Sequence, residues 1–191
     1  MKKIILKAAL VTVGALAAIG ILVFSLWILI SPQSMATASE KIGNYSFAVT
    51  CSDLKYKYSD KTEDLARCAE DSILSGQDKL ILKYCGQLIE KDDFESVCIE
   101  KNTQLGSTAF GVYAVDYESY ILGNLALSQY KSGELEKAVE TCERGEVQCF
   151  NRLVIAVVES NSQEDLQMLI SSPSSMQAKE YVKGLIDLFV K

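Results

Sequence analysis

The sequence contains no histidine, and this absence removes several classes of active site at once. Ser-His and Cys-His nucleophiles and metal sites built on imidazole all need that side chain. The six cysteines include no Cys-x-x-Cys pair, so a zinc site made of cysteines alone is also disfavoured. We therefore expect no catalytic residues, no metal site and no cofactor. An enzyme that uses carboxylates alone is the least favoured alternative.

Proline is nearly absent, since Pro32 and Pro173 are the only two in 191 residues. Long alternating runs of β-branched residues are also scarce, and apolar residues recur at intervals of three and four instead. This spacing is typical of helices with one buried face. The sequence therefore predicts an all-α protein.

Charge is absent between Ala8 and Ile30. A helix of these 23 residues would be about 35 Å long, enough to cross a hydrocarbon core of roughly 30 Å. Lys2, Lys3 and Lys7 precede the run, and basic flanks stay in the cytoplasm. The pattern predicts a cytoplasmic tail at 1–7, a transmembrane helix at 8–30, and export of the rest of this single-pass chain.

A secretory signal peptide is the competing interpretation of the same segment. Ala36-Thr37-Ala38 has the small-x-small form of a cleavage site, and cleavage after Ala38 would release a secreted protein. The apolar run is longer than the usual signal core of about 7–15 residues, which favours an uncleaved anchor. Both interpretations export the remaining chain.

The exported part is acidic. Three of the 19 basic residues precede the apolar run and all 25 acidic residues follow it, so this part carries a net charge of about −9. An acidic surface disfavours binding to nucleic acid. We expect a polar linker at 31–41 and a single domain at 42–191.

Within this domain the apolar periodicity predicts nine helices separated by short turns, and a loop over 103–115, where two glycines interrupt the pattern. The predicted helices cover about 42–57, 63–75, 77–90, 94–102, 116–131, 134–144, 147–160, 163–171 and 175–190. Short connections between helices are typical of antiparallel hairpins.

One hairpin resembles a known repeat. Leu125-Ala126, Gly133 and Ala138 stand where tetratricopeptide (TPR) repeats place a Leu-small pair, a helix-ending glycine and a small packing residue. The family's tyrosine and second-helix aromatic positions fall on Gln129 and Cys142 here. The resemblance implies a TPR-like α-solenoid that binds other proteins.

The cysteines all follow the apolar run, and their spacing predicts three disulfides. The midpoints of Cys51 and Cys68, of Cys85 and Cys98, and of Cys142 and Cys149 each fall at a predicted turn. Facing positions of an antiparallel hairpin are symmetric about its turn, so each pair would join two helices. The alternative is free thiols within apolar faces, because cysteine is commonly buried.

Six tyrosines are candidates for a concave binding face, with packing between helices as the alternative: Tyr45, Tyr56, Tyr58, Tyr113, Tyr117 and Tyr120. Together these features lead us to expect an extracytoplasmic scaffold, anchored in the lipid bilayer through residues 8–30, that binds one or more proteins, for instance in envelope assembly. The alternative is a cleaved, secreted helical module that binds a peptide or a cell-wall component.

Overall fold

The computed structural model describes residues 2–105, 116–145 and 147–189. The described residues are helical with turns and contain no strand, so the predicted all-α class is confirmed. The helices are α1 (Lys2–Ile30), α2 (Pro32–Lys41), α3 (Tyr45–Ser59), α4 (Thr62–Ser75), α5 (Asp78–Ile89), α6 (Phe94–Leu105), α7 (Tyr117–Lys131), α8 (Leu135–Glu143), α9 (Phe150–Ser160), α10 (Gln163–Ser171) and α11 (Met176–Phe189), with a 3₁₀ turn, Val147–Cys149, before α9.

The nine predicted helices beyond residue 42 correspond to α3–α11, with ends shifted by at most three residues. Polar side chains begin several of them as expected for N-caps. Asp116 accepts a hydrogen bond from the Ser119 amide at 2.8 Å, and Asn44 accepts one from the Phe47 amide at 3.3 Å. Helix α6 extends three residues into the predicted loop, and the rest of that loop lies outside the described residues.

Helix α1 contains one stretch, Val13–Ile30, that is long and apolar enough to cross a membrane, and none of that stretch is buried within the protein. The side chains of this stretch are almost all apolar and most are exposed, as expected of a helix that is apolar on every face. Among the described helices, α1 is therefore suited to be a membrane anchor or a signal sequence.

Residues 31–41 form a packed helix and not the expected polar linker. Pro32 occupies the first turn of α2, where its missing N–H costs nothing. The buried positions Pro32, Met35, Ala36 and Ser39 follow the i, i+3, i+4, i+7 spacing and pack against α3. The difference arises because small and polar residues here occupy the buried stripe of an amphipathic helix.

Contacts repeat at a constant interval in the first half of the domain. Thr62 donates to Asp93 at 2.6 Å, at the starts of α4 and α6, and Lys101 pairs with Glu70 at 2.7 Å farther along the same two helices. Both contacts join residues 31 positions apart, so α4 and α6 run parallel in register. This interval is compatible with a helical repeat.

A similar interval relates α9 to α11. Tyr181 donates to Asn151 across these helices at 2.7 Å, and the two residues are 30 positions apart in sequence. Ser174, just before α11, donates through its hydroxyl to Glu143 at the end of α8, 31 residues away, at 2.8 Å. The second half of the domain thus has nearly the same spacing as the first.

The two halves meet at α5 and α7. Ser128, near the end of α7, donates to Asp78 at the start of α5 at 2.8 Å, while Tyr120 lies near Cys85 farther along α5. Helix α7 therefore runs antiparallel to α5. Among the described helices, α6 packs against α4 and α7 rather than closely along α5. The hairpin predicted for 77–102 is thus open, and α7 occupies the place beside α5.

One of the three predicted disulfides is present. Cys142 at the end of α8 is bonded to Cys149 in the 3₁₀ turn, with the two Cα atoms 5.2 Å apart. The other four cysteines, Cys51, Cys68, Cys85 and Cys98, are free thiols and buried.

The other two pairings differ from the prediction for separate reasons. Cys51 packs in a small cluster with Met35 and Ala36, whereas Cys68 belongs to the main core, so the two thiols occupy different clusters. Cys85 and Cys98 lie on α5 and α6, which do not form a close hairpin. Symmetry about a turn does not bring Cα atoms within the roughly 7 Å that a disulfide requires when helix axes are about 8–10 Å apart.

We predict that the denatured, unreduced protein contains four titratable thiols and that the native protein reacts far more slowly. Burial of the four free cysteines is the reason for the slow reaction. Thiol counting before and after reduction provides the measurement, and reduction should raise the count to six. No free thiols in the denatured protein would instead support three bridges, and six before reduction would exclude even Cys142–Cys149.

We predict opposite effects for two glycine-to-alanine substitutions. Gly133, in the α7–α8 turn, has φ +83°, so Gly133→Ala should lower the free energy of unfolding by roughly 1 kcal/mol. Gly184 lies within α11, and a Cβ there meets no atom within 4 Å, so Gly184→Ala should raise it by about 0.5–1 kcal/mol. Denaturant unfolding of the detergent-solubilised chain measures both changes in the free energy of unfolding. If the two substitutions change it in the same direction, the α7–α8 turn geometry is contradicted.

Candidate functional site

The residues of the TPR-like hairpin pack its two helices together. Leu125, Ala126 and Ala138 are buried between α7 and α8, and Gly133 forms the turn. Thr141 of α8 donates to the Gln129 side chain of α7 at 2.8 Å, across the buried hairpin interface. These residues build the scaffold, and Leu125, Gln129 and Thr141 also line a cavity beside α5.

A concave surface follows α5. Two adjoining cavities, of about 420 and 610 Å³, share Leu82, Gly86 and Glu90. The first cavity is lined by α5, α7 and α8, and the second extends from α5 toward Tyr56 of α3. We call this continuous surface, which is lined by α3, α5, α7 and α8, the α5 groove.

The sequence of α5 explains the groove. Ile81, Tyr84, Cys85 and Leu88 form the face that packs into the core. The neighbouring face carries Leu82, Gly86 and Ile89, spaced as one helical stripe. Because Gly86 has no side chain and a Cβ there would meet no atom within 4 Å, the middle of this stripe is open.

The charges on the walls of the groove are compensated by neighbouring side chains. Arg144 pairs with Glu90 at 2.7 Å, and Lys137 pairs with Glu134 at 3.2 Å. The lining contains four basic and three acidic residues in an otherwise acidic chain: Lys83, Lys91, Lys137 and Arg144, with Glu90, Glu134 and Glu140. The surface thus offers an apolar floor between walls of mixed charge, an arrangement suited to binding rather than to proton transfer.

Of the six candidate tyrosines, Tyr56 lines the groove. Tyr117 is fully buried in the core, and Tyr58 is exposed outside the lining of the groove. Tyr113 lies outside the described residues. The tyrosine-rich composition therefore did not locate the concave face. Gly86 was the better signal, because an isolated glycine within an amphipathic helix often marks a close approach or an open surface.

A second, more polar cavity of about 460 Å³ lies between α8 and α11, beside the disulfide. Glu143 is its main charged group, and it accepts hydrogen bonds from both the amide and the hydroxyl of Ser174. These contacts join the end of α8 to the start of α11. We therefore interpret this cavity as part of the packing contact between α8 and α11.

The buried free thiols have low reactivity at neutral pH. Burial raises the pKa of both Cys85 and Cys98 to about 12, so they remain protonated at neutral pH. A thiol acts as a nucleophile or metal ligand in its thiolate form. In the described part of the chain, histidine, cysteine and acidic side chains form no group that could hold a metal ion.

Asp71 is the most buried carboxyl of the described residues, with 2% of its surface exposed. Ser52 donates a hydrogen bond to it at 2.7 Å across the α3–α4 interface. Burial raises the pKa of Asp71 to about 6, and the hydrogen bond from Ser52 opposes part of that rise. The carboxyl joins two helices inside the domain, away from the groove.

Comparison with known proteins identifies no relative: no protein-family model, curated protein or solved structure matches the chain. The helix packing is compatible with a helical repeat, and no family match assigns it to the TPR family. The functional interpretation below therefore depends on the geometry of this chain's own residues.

We predict that lowering the pH from about 7 to about 5 stabilises the protein through Asp71. Because the folded pKa of about 6 exceeds the usual 3.8, the folded state binds the proton more tightly, and stability rises as pH falls through this window. Asp71→Asn should remove on the order of 1 kcal/mol of this pH dependence. Thermal unfolding at several pH values measures it, with exposed Asp92→Asn as control. An unchanged slope in Asp71→Asn would contradict the assignment.

Proposed function

We propose that this protein is a membrane-anchored, extracytoplasmic helical-repeat scaffold that binds another protein through the α5 groove. The single observation that carries the proposal is the groove itself, a continuous concave surface that crosses α3, α5, α7 and α8. Its two cavities fall within the roughly 300–1,000 Å³ typical of binding pockets. They adjoin, so an extended segment or a helix can occupy both.

The chemistry of the groove indicates the kind of partner. Leu82, Gly86 and Ile89 present an apolar stripe, which suits the apolar face of an amphipathic peptide or helix. The walls carry both signs of charge, so they favour a partner with mixed charge beside its apolar face. The acidic balance of the whole chain disfavours nucleic acid.

The packing of α2 supports an uncleaved anchor. The candidate cleavage site Ala36-Thr37-Ala38 lies inside this helix, and Ala36 is fully buried. Cleavage after Ala38 would remove Met35 and Ala36, which cover Cys51 in their shared cluster. A mature protein that begins at Ser39 would thus lose part of its own packing.

Two features support the extracytoplasmic orientation. The basic residues Lys2, Lys3 and Lys7 flank α1 on one side, and such flanks stay in the cytoplasm. The Cys142–Cys149 disulfide lies on the other side of α1, where an oxidising compartment would preserve it. We propose no catalytic activity for this scaffold, and the polar groups deep in the groove, Gln129 and Thr141, are hydrogen-bonded to each other.

We predict that filling the groove at Gly86 abolishes partner binding. Gly86→Met places a flexible apolar chain in the open middle of the stripe without a clash at Cβ, so the fold should persist. A photo-crosslinking residue at Gln87, which lines the groove, should capture a defined partner in intact membranes. Gly86→Met should reduce that crosslink about tenfold, equivalent to about 1.4 kcal/mol.

The matched control is Gly184→Met, since Gly184 is also a helical glycine with no atom within 4 Å of an added Cβ. This variant should leave the crosslink from Gln87 unchanged. A photo-crosslinker at Lys183 on α11 tests for nonspecific capture. Equal capture from Lys183 and Gln87, or an equal effect of both glycine variants, would contradict the groove as the binding site.

A further inference from the structure

The outer end of α1 contacts the exported domain directly. The rings of Phe24 in α1 and Phe47 in α3 are stacked, with centroids 6.2 Å apart and an interplanar angle of 15°. Ile28 and Phe47 also pack against the cluster of Met35, Ala36 and Cys51. The domain therefore packs directly against the apolar helix and is not joined to it only by a flexible linker.

The position of Phe24 along α1 fixes the depth of this contact. Phe24 lies six residues before Ile30, the last residue of the apolar helix. At 1.5 Å per residue this is about 9 Å along the helix axis. If α1 spans the bilayer with Ile30 at its outer boundary, Phe47 reaches the outer edge of the acyl-chain region.

The α2–α3 connection, which adjoins Phe47, has a composition suited to that environment. Ile42 is 78% exposed at the turn. Lys41 beside it is exposed, as expected of a basic residue near lipid headgroups. Glu40 is the acidic residue of the segment 40–47, and it is paired with Arg67 of α4 at 2.6 Å, so its charge is compensated within the protein.

We propose that the α2–α3 corner, residues 40–47, is a second membrane contact, in which Ile42 and Phe47 enter the interface between headgroups and acyl chains of the outer leaflet. The proposal rests on the membrane anchoring of α1 given above. The lipid bilayer is the expected occupant because Phe47 of this corner stacks on Phe24 of α1, within the stretch that is long and apolar enough to cross a membrane. Together the two contacts hold the repeat domain at a fixed orientation on the membrane.

Tryptophan fluorescence can test this contact in the full-length chain. Trp27, on α1, is the only tryptophan, so Trp27→Phe gives a silent background. Ile42→Trp is then added, and the protein is reconstituted into phosphatidylcholine vesicles whose acyl chains are brominated near the headgroup end. The expected result is a loss of emission relative to unbrominated vesicles, because bromine quenches tryptophan on contact.

The matched control is Met176→Trp in the same background. Met176 is 73% exposed at the start of α11, which packs on α9 and α10 in the second half of the domain. Its emission should be equal in brominated and unbrominated vesicles. Circular dichroism verifies that both variants keep their helix content, as expected for substitutions at exposed positions.

Ile42→Trp emission that is quenched no more than Met176→Trp emission would overturn the proposal. Protection of Ile42→Trp from both bromolipid and an aqueous quencher would also overturn it, since a second protein copy or another partner would then cover the corner. Trp27 in the unaltered chain distinguishes the two proposals. Its quenching establishes that α1 is in the bilayer, whereas its lack of quenching would contradict the anchoring as well.

Discussion

The packing of α1, α2 and α3 at one corner is the constraint on which the rest of the structure depends. Phe24, Met35 and Phe47 come from three successive helices, and their contacts fix where the domain begins relative to the apolar helix. The Arg67–Glu40 pair extends this junction to α4. From α4 onward each helix packs on an earlier one, so the orientation of the whole array follows from this first junction.

Among the described helices, the constant sequence interval between packed helices is interrupted at α5 and α7, and the groove lies there. Contacts at intervals of 30 or 31 residues relate α4 to α6, which run parallel, and α9 to α11. Between these halves, α7 runs antiparallel to α5 and takes the place that α6 would have in a regular repeat. Helices α5 and α8 both pack against α7, and the groove lies between α5 and α8. The groove thus lies where the interval of 30 or 31 residues between packed helices is interrupted.

Sequence periodicity predicted the nine helices of the domain well, because apolar residues recur along them at intervals of three and four. Helix α2 was missed because its buried stripe includes a proline and a serine. The disulfides show a different limit of sequence-based prediction. The symmetry of the cysteine positions located all three turns, but only Cys142 and Cys149 are close enough to form a disulfide. The groove depends on how α5, α7 and α8 meet, so only Gly86 hinted at it.

The most direct test of this account is the mass of the protein purified from membranes under denaturing, non-reducing conditions. A retained anchor predicts a mass that includes the residues before Ser39, together with membrane association that resists alkaline extraction. The packing of Met35 and Ala36 against Cys51 is the reason for this expectation. A soluble mature form that begins at Ser39 would contradict the retained anchor, the corner that it forms and the fixed orientation of the domain.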